Sequence, residues 1–143
     1  CFACGPRNKS GLQLVFERDE DGVATTFLVC EEHQGFPGYL HGGITSAILD
    51  EVMSRVSMLE NLWTMSARLD VRFRHPIPIG QRIRAVAQKR RVVRGFLEAQ
   101  GRIELTDGRI AAEATGTYAH LKNEALASIS EGYPRLAKEW MVG

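Results

Sequence analysis

The stretch from Gly42 to Leu59 constrains the fold most, because it is a long helical pattern set between runs that all read as β-structure. Its apolar residues Ile44, Ile48, Leu49, Val52, Val56 and Leu59 recur at about 100° per residue and fill one broad arc. Ser46, Asp50, Ser54 and Ser57 fall outside that arc. Before the helix, Leu12 to Arg18 alternates in polarity and Val23 to Cys30 is apolar and β-branched, so the two predict a hairpin across the charged turn Asp19 to Gly22. A loop, Glu31 to Leu40, carries Gly35, Pro37 and Gly38. After the helix, Ala67, Leu69, Val71 and Phe73 alternate with Arg68, Asp70 and Arg72, and Pro76 and Pro78 end that strand. Gln81 to Val93 and Phe96 to Leu105 read as two more strands joined at Arg94-Gly95. Asp107-Gly108 then turns the chain into a last strand, Arg109 to Tyr118. Strands joined by short turns form an antiparallel sheet, and a single helix covers one face of it. The expected class is α+β, a curled antiparallel sheet wrapped around one long central helix.

Length and composition bound the function. A chain of 143 residues fits one domain with a real core. We read residues 1–120 as that domain and 121–143 as a weakly patterned C-terminal tail, in which Pro134 offers the start of a short peripheral helix. A formal net charge of +1 argues against a dedicated nucleic-acid or membrane-surface binder. No apolar run approaches the roughly 20 residues that span a bilayer, and no signal peptide is recognisable at the N-terminus. The first residue is Cys1, so an earlier start, with whatever targeting segment it carries, is expected upstream. Three cysteines favour a reducing compartment, and a cytoplasmic location is expected. The pair Cys1-x-x-Cys4 invites a zinc reading, but a structural zinc site takes four ligands. Only Cys30 and the scattered His33, His41, His75 and His120 remain, so neither a metal nor a cofactor is expected.

The run from Gly35 through His41-Gly42-Gly43 to Asp50 resembles the signature of PaaI-type hotdog-fold thioesterases. The later run from Ser66 to Gly80 is similar to the strand that follows the helix in that family. The opening Cys1-Phe-Ala-Cys4-Gly5 and Gly11-Leu12 also look like many of its members. The resemblance covers roughly residues 1–120 and implies a hotdog fold, hydrolysis of acyl-CoA thioesters, and a homodimer or homotetramer.

Thioester hydrolysis needs a polarised carbonyl, an attacking oxygen and room for a long thiol. The unpaired N–H groups at a helix N-terminus carry partial positive charge and stabilise a developing oxyanion. Gly43 N–H, with Gly42 beside it, is the expected donor. Asp50 matches the family's acid and would act as general base or nucleophile. Its rival Glu51 stands four residues before Arg55, where an i,i+4 ion pair accounts for it. His41 either bonds the thioester or ties the loop to the backbone, and both readings stay open. Gln34 is a candidate second polariser, though Gly35 occupies the spacing seen in some relatives. Ser66 corresponds to a hydroxyl that orients the attacking water, and Thr64 shares its strand parity. Strict alternation turns Ser66 away from the face of Ala67 and Leu69, so it reaches a site only through an irregular strand start or against a partner subunit. Lys89, Arg90, Arg91, Arg94 and Arg102 cluster on the later strands. Arg90, Arg91 and Arg94 in particular suit the phosphates of CoA. Phe36, Tyr39, Met53 and Ser57 are expected to shape the acyl pocket.

Two other functions fit parts of the pattern. A hotdog module can bind acyl-CoA without cleaving it, but a sensor has no need of Asp50. A hotdog enoyl-CoA hydratase needs its acid and histidine in a different constellation.

Overall fold

The computed structural model describes residues 1–20 and 22–132. The elements run β1 (Phe16–Asp19), β2 (Gly22–Leu28), α1 (Gly42–Leu59), β3 (Thr64–Phe73), β4 (Arg82–Val93), β5 (Phe96–Glu104), β6 (Ile110–His120) and α2 (Asn123–Gly132). A short 3-10 turn, Glu31–His33, lies in the loop before α1. All six strands form one antiparallel sheet in the order β1-β2-β4-β5-β6-β3. The helix α1 packs on β2, β3, β4, β5 and β6, which is the α+β hotdog arrangement expected from the sequence.

The packing follows from which side chains face each other. Ile48, Leu49, Val52 and Met53 of α1 are completely buried. The strands meet them with small residues, Ala85, Ala87, Ala99, Ala112 and Ala114, and with Ile83, Leu97, Ile103 and Tyr118. Small side chains on the sheet let a helix of large ones lie close. Burying each large aliphatic chain contributes roughly 1.5–3 kcal/mol. Met53 belongs wholly to this core, so it does not shape an open acyl pocket. Ser57, placed off the apolar arc by periodicity, is also buried. Its hydroxyl donates to Ser54 O at 2.7 Å, and its carbonyl accepts from Glu60 and Leu62 as the helix ends.

Two strands depart from expectation. The regular part of β1 starts at Phe16, not Leu12, because Gln13 takes a φ of 51°. Leu12 and Leu14 are buried, but their N–H groups bond Phe2 O and Ala3 O instead of β2. The strand β3 starts at Thr64 and lies at the sheet edge, with a register shift against β6 between Ser66 and Arg68. It is mostly exposed along its length. The Arg94-Gly95 turn has positive φ at both residues, 52° and 82°, as a two-residue hairpin of this hand requires. In the tail, the described residues form α2, and Pro134 lies outside them.

Replacing Ile48 with alanine should cost about 2–5 kcal/mol. Chemical denaturation should show this as a lower midpoint with an unchanged slope.

Candidate active site

The loop before α1 is fixed by its own hydrogen bonds. Cys30 N–H donates to His33 Nδ1 at 2.9 Å, and His41 N–H donates to His33 O at 2.9 Å. Gly35 N–H donates to Tyr39 O, and Gly38 N–H donates to Gln34 Oε1 at 2.6 Å. The Gln34 side-chain oxygen therefore holds the loop closed. Gly35 packs so tightly that an added Cβ would lie 3.0 Å from His41 Cα. Tyr39 and Phe36 stand exposed on this loop.

His41 is the N-cap of α1. Its Nδ1 accepts from Gly43 N–H at 2.8 Å. Its carbonyl accepts from Ile44 and Thr45 at 3.0 and 3.1 Å. Three of the first four helix N–H groups are thus claimed by one residue. Among the described residues, the Gly42 N–H is left without an intramolecular acceptor. The Gly43 donor singled out by sequence is engaged with His41, and the free donor is its neighbour. This geometry also gives His41 an architectural role. Phe73, at the end of β3, lies beside Gly42, with ring atoms 3.6 Å from where a Cβ would stand.

Two turns along the helix, Asp50 meets Ser66 and Tyr118. Ser66 Oγ lies 2.9 Å from Oδ1 and 3.1 Å from Oδ2. Tyr118 Oη lies 3.1 Å from Oδ1 and 3.2 Å from the Asp50 carbonyl. The register shift in β3 is what lets Ser66 reach this inner face. The extra residue, Ala67, reverses the parity that strict alternation assigned. Thr64 Oγ1 is buried on the same strand with no hydrogen-bond partner. Glu51 is occupied elsewhere, since Arg55 Nη2 lies 3.2 Å from its Oε1 in the expected i,i+4 pair.

Tyr118 was not found by sequence reasoning. The signal was present in Gly116, a glycine inside a strand two residues before an aromatic. A Cβ on Gly116 would fall 2.6 Å from the Tyr118 ring. Glycine there lets the ring fold back along its own strand and aim its hydroxyl at α1. Burial, and then the Asp50 charge, push the Tyr118 phenol well above the usual tyrosine range, so it stays a donor.

The basic cluster divides. Lys89 pairs with Glu60, Arg91 with Glu98 and Arg102 with Glu104. The Arg91 pair is bidentate, at 2.8 Å for both contacts. It holds the Glu98 carboxyl below and the Arg91 guanidinium above their ordinary values. Arg90, released by a register shift in β4, instead lines a groove with Arg68, Glu98, Thr115 and Thr117 on the sheet face opposite α1. Arg94 sits in the β4–β5 turn. Neither Arg90 nor Arg94 forms an ion pair among the described residues.

Comparison with known proteins agrees with this architecture. A model of the family described as the thioesterase superfamily matches residues 37–112, more than half of the chain. The chain belongs to the thioesterase superfamily. Mouse acyl-coenzyme A thioesterase THEM5 is 41% identical over 49 residues, which cover 33% of this chain and 19% of that protein. A solved thioesterase superfamily protein is 26% identical with a TM-score of 0.77, covering 82% of this chain and 61% of that one. The Escherichia coli PaaI protein is 17% identical with a TM-score of 0.72, covering 78% and 81%. A hypothetical thioesterase from Streptococcus pneumoniae, solved with coenzyme A, is 18% identical with a TM-score of 0.70, covering 75% and 87%. The chain thus spans about a fifth of the mouse protein and less than two thirds of the first of these structures. No helix of the described residues is long and apolar enough to cross a membrane.

The raised Tyr118 value sets an alkaline dependence. Above about pH 10 the unfolded tyrosine loses its proton while the folded one keeps it, so the folded state binds more protons and stability falls as pH rises. Denaturation followed from pH 9 to 11 should show this loss, and Tyr118→Phe should remove this residue's part of it.

Proposed function

We propose that this chain hydrolyses acyl-CoA thioesters, with Asp50 as the general base at a site shared by two copies of the chain. The observation that carries the reading is the Asp50 carboxylate held between Ser66 and Tyr118. One serine proton and one phenol proton direct themselves chiefly at Oδ1, which leaves Oδ2 lone pairs for a water. Oδ2 takes a proton from that water as its oxygen attacks the thioester carbon. The carbonyl oxygen becomes an oxyanion. As it collapses, the C–S bond breaks and the CoA sulfur leaves, taking up a proton. The Streptococcus pneumoniae structure was also determined as two alanine variants, of an aspartate and of a threonine sixteen positions apart. Asp50 and Ser66 have the same separation.

The oxyanion donor proposed is the Gly42 N–H, since Gly43 N–H already serves His41. Asp50 follows Gly42 by eight helical steps, a rise of about 12 Å. Reacting atoms must approach within roughly 3–3.5 Å, so one protomer cannot apply both groups to one thioester. A homodimer resolves this. The ten-residue edge strand β3 exposes Met65, Leu69 and Phe73, and such an edge favours pairing with another strand. Asp50 contacts the Ser66 end of β3, and Gly42 lies by the Phe73 end. Antiparallel pairing of β3 with its copy runs each end toward the other, bringing the partner's helix start toward Asp50. Arg90 and Arg94, rather than the paired Arg91, are the proposed contacts for CoA phosphates.

Gly42→Pro tests the donor without unmaking the helix. Proline is accepted at the first helical position, and His41 already has the extended ψ of 132° that precedes proline well. The variant should keep its circular dichroism and lose about 10²–10³ in kcat. Asp50→Ala should abolish thiol release from an acyl-CoA panel. Mixing the two inactive variants should restore activity, because one site of each heterodimer then has an intact Gly42 and an intact Asp50. No recovery in verified heterodimers would overturn the shared site. A single turnover in ¹⁸O-water should label the released acid. An unlabelled first-turnover product would instead make Asp50 the nucleophile.

A further inference from the structure

The N-terminal turn places a second constellation on α1, one helical position beyond Asp50. Cys1 Sγ, Cys4 Sγ and a Glu51 carboxylate oxygen all lie within 4.8 Å of one another. The turn that brings the thiols together is closed by Gly5 N–H donating to Cys1 O at 3.0 Å. A Cβ on Gly5 would stand 2.6 Å from that oxygen, so the sequence Cys1-x-x-Cys4-Gly5 is what permits the closure. Along the chain alone, the two cysteines are too few for a structural zinc site. The fold adds Glu51, 47 positions after Cys4.

We propose that Cys1, Cys4 and Glu51 bind one zinc ion, with solvent as the fourth ligand. Two sulfurs and one carboxylate oxygen suit a borderline-soft tetrahedral ion. Zinc–sulfur bonds of about 2.3 Å and a zinc–oxygen bond of about 2.0–2.2 Å set ligand separations of roughly 3.5–3.8 Å. The present spacing, within 4.8 Å, needs a contraction of at most about 1 Å, to which rotation of the exposed Cys1 side chain contributes. The ion displaces the two thiol protons to solvent.

The surroundings fit the charge of the loaded site. Two thiolates and one carboxylate around a divalent ion leave a net charge of −1. Arg55 offsets it from where it already stands. Its Nη2 lies 2.8 Å from Cys4 Sγ, and its Nε and Nη2 both lie 3.2 Å from Glu51 Oε1. The other carboxylate oxygen, Oε2, faces Cys1 Sγ at 4.0 Å and is the one free to coordinate. Arg55 is itself held over the Phe16 ring, 4.7 Å from its centroid. Arg55 thus stands behind two of the three ligands, Cys4 and Glu51, and such outer partners orient and tune the ligands of a metal site. The ion would fasten the N-terminal turn to the helix that carries Asp50.

The test uses the full chain, reduced with a phosphine, and Zn²⁺ or Co²⁺ alone as the probe. One equivalent of Zn²⁺ should bind and raise the Tm. Co²⁺ should give thiolate-to-metal charge-transfer absorption and the strong visible bands of a four-coordinate site. Cys1→Ser, at an exposed position that leaves the fold intact, and Glu51→Gln should each weaken binding by about tenfold or more. Cys1→Ser should also lose the Tm response, while Cys30→Ser should keep both. Absence of the charge-transfer band would overturn the proposal. Equal affinity in the wild type and all three variants would mark adventitious binding and overturn it too. So would a native Cys1–Cys4 disulfide whose reduced form takes up no metal.

Discussion

Everything in this molecule depends on the burial of one face of α1 against a sheet of small side chains. Once Ile48, Leu49, Val52 and Met53 are committed to the core, the rotation of the helix is fixed. Asp50 then has one direction left, toward the inner face of β6 and β3. The same rotation turns Glu51 to the next face, under the N-terminal turn. Two adjacent acids on one helix thus serve different neighbourhoods, and hydrophobic packing performs the separation.

Much of this was legible in the residues. The helix limits, the hairpins at Arg94-Gly95 and Asp107-Gly108, and the ion pair of Glu51 with Arg55 follow from short-range rules of period, turn chemistry and i,i+4 spacing. What escaped was decided by distant partners. Leu12 and Leu14 alternate like a strand, but their N–H groups are taken by Phe2 and Ala3. The exposure of β3 depends on its place at the edge, which no local pattern records. The approach of Ser66 to Asp50 depends on one extra residue in register. Tyr118 reaches α1 only because Gly116 leaves it room. The free donor at the helix start moved from Gly43 to Gly42 because His41 bonds two residues ahead, a choice made by a side-chain torsion.

The polar groups of the candidate site are arranged economically. His41 settles three helix N–H groups and leaves one. Ser66 and Tyr118 settle one side of the Asp50 carboxylate and leave the other. The uncommitted groups are a donor at the start of a rigid helix and an acceptor two turns along it, and those are the two functions that thioester cleavage divides between them. Gln34 and Arg91, chosen for their chemistry, are spent on bonds within the chain, whereas Arg90 beside Arg91 forms no ion pair among the described residues.

The strand order has a consequence for how the chain acquires its site. β4, β5 and β6 are sequential hairpins and can zip locally, but β3 precedes them in the chain and pairs with β6, from Thr64 with His120 to Phe73 with Ala112. Contacts of such separation form late, because loop closure must be met before pairing rewards it. During synthesis, Ser66 leaves the ribosome well before the strand that will hold it exists. The helix can collapse early with Asp50 on its side, but Tyr118 and the docked Ser66 arrive together, when the last strand closes the sheet. The two hydroxyl partners of the carboxylate therefore come together only when β6 pairs with β3, and a chain stopped short of β6 would carry the acid without either of them in place.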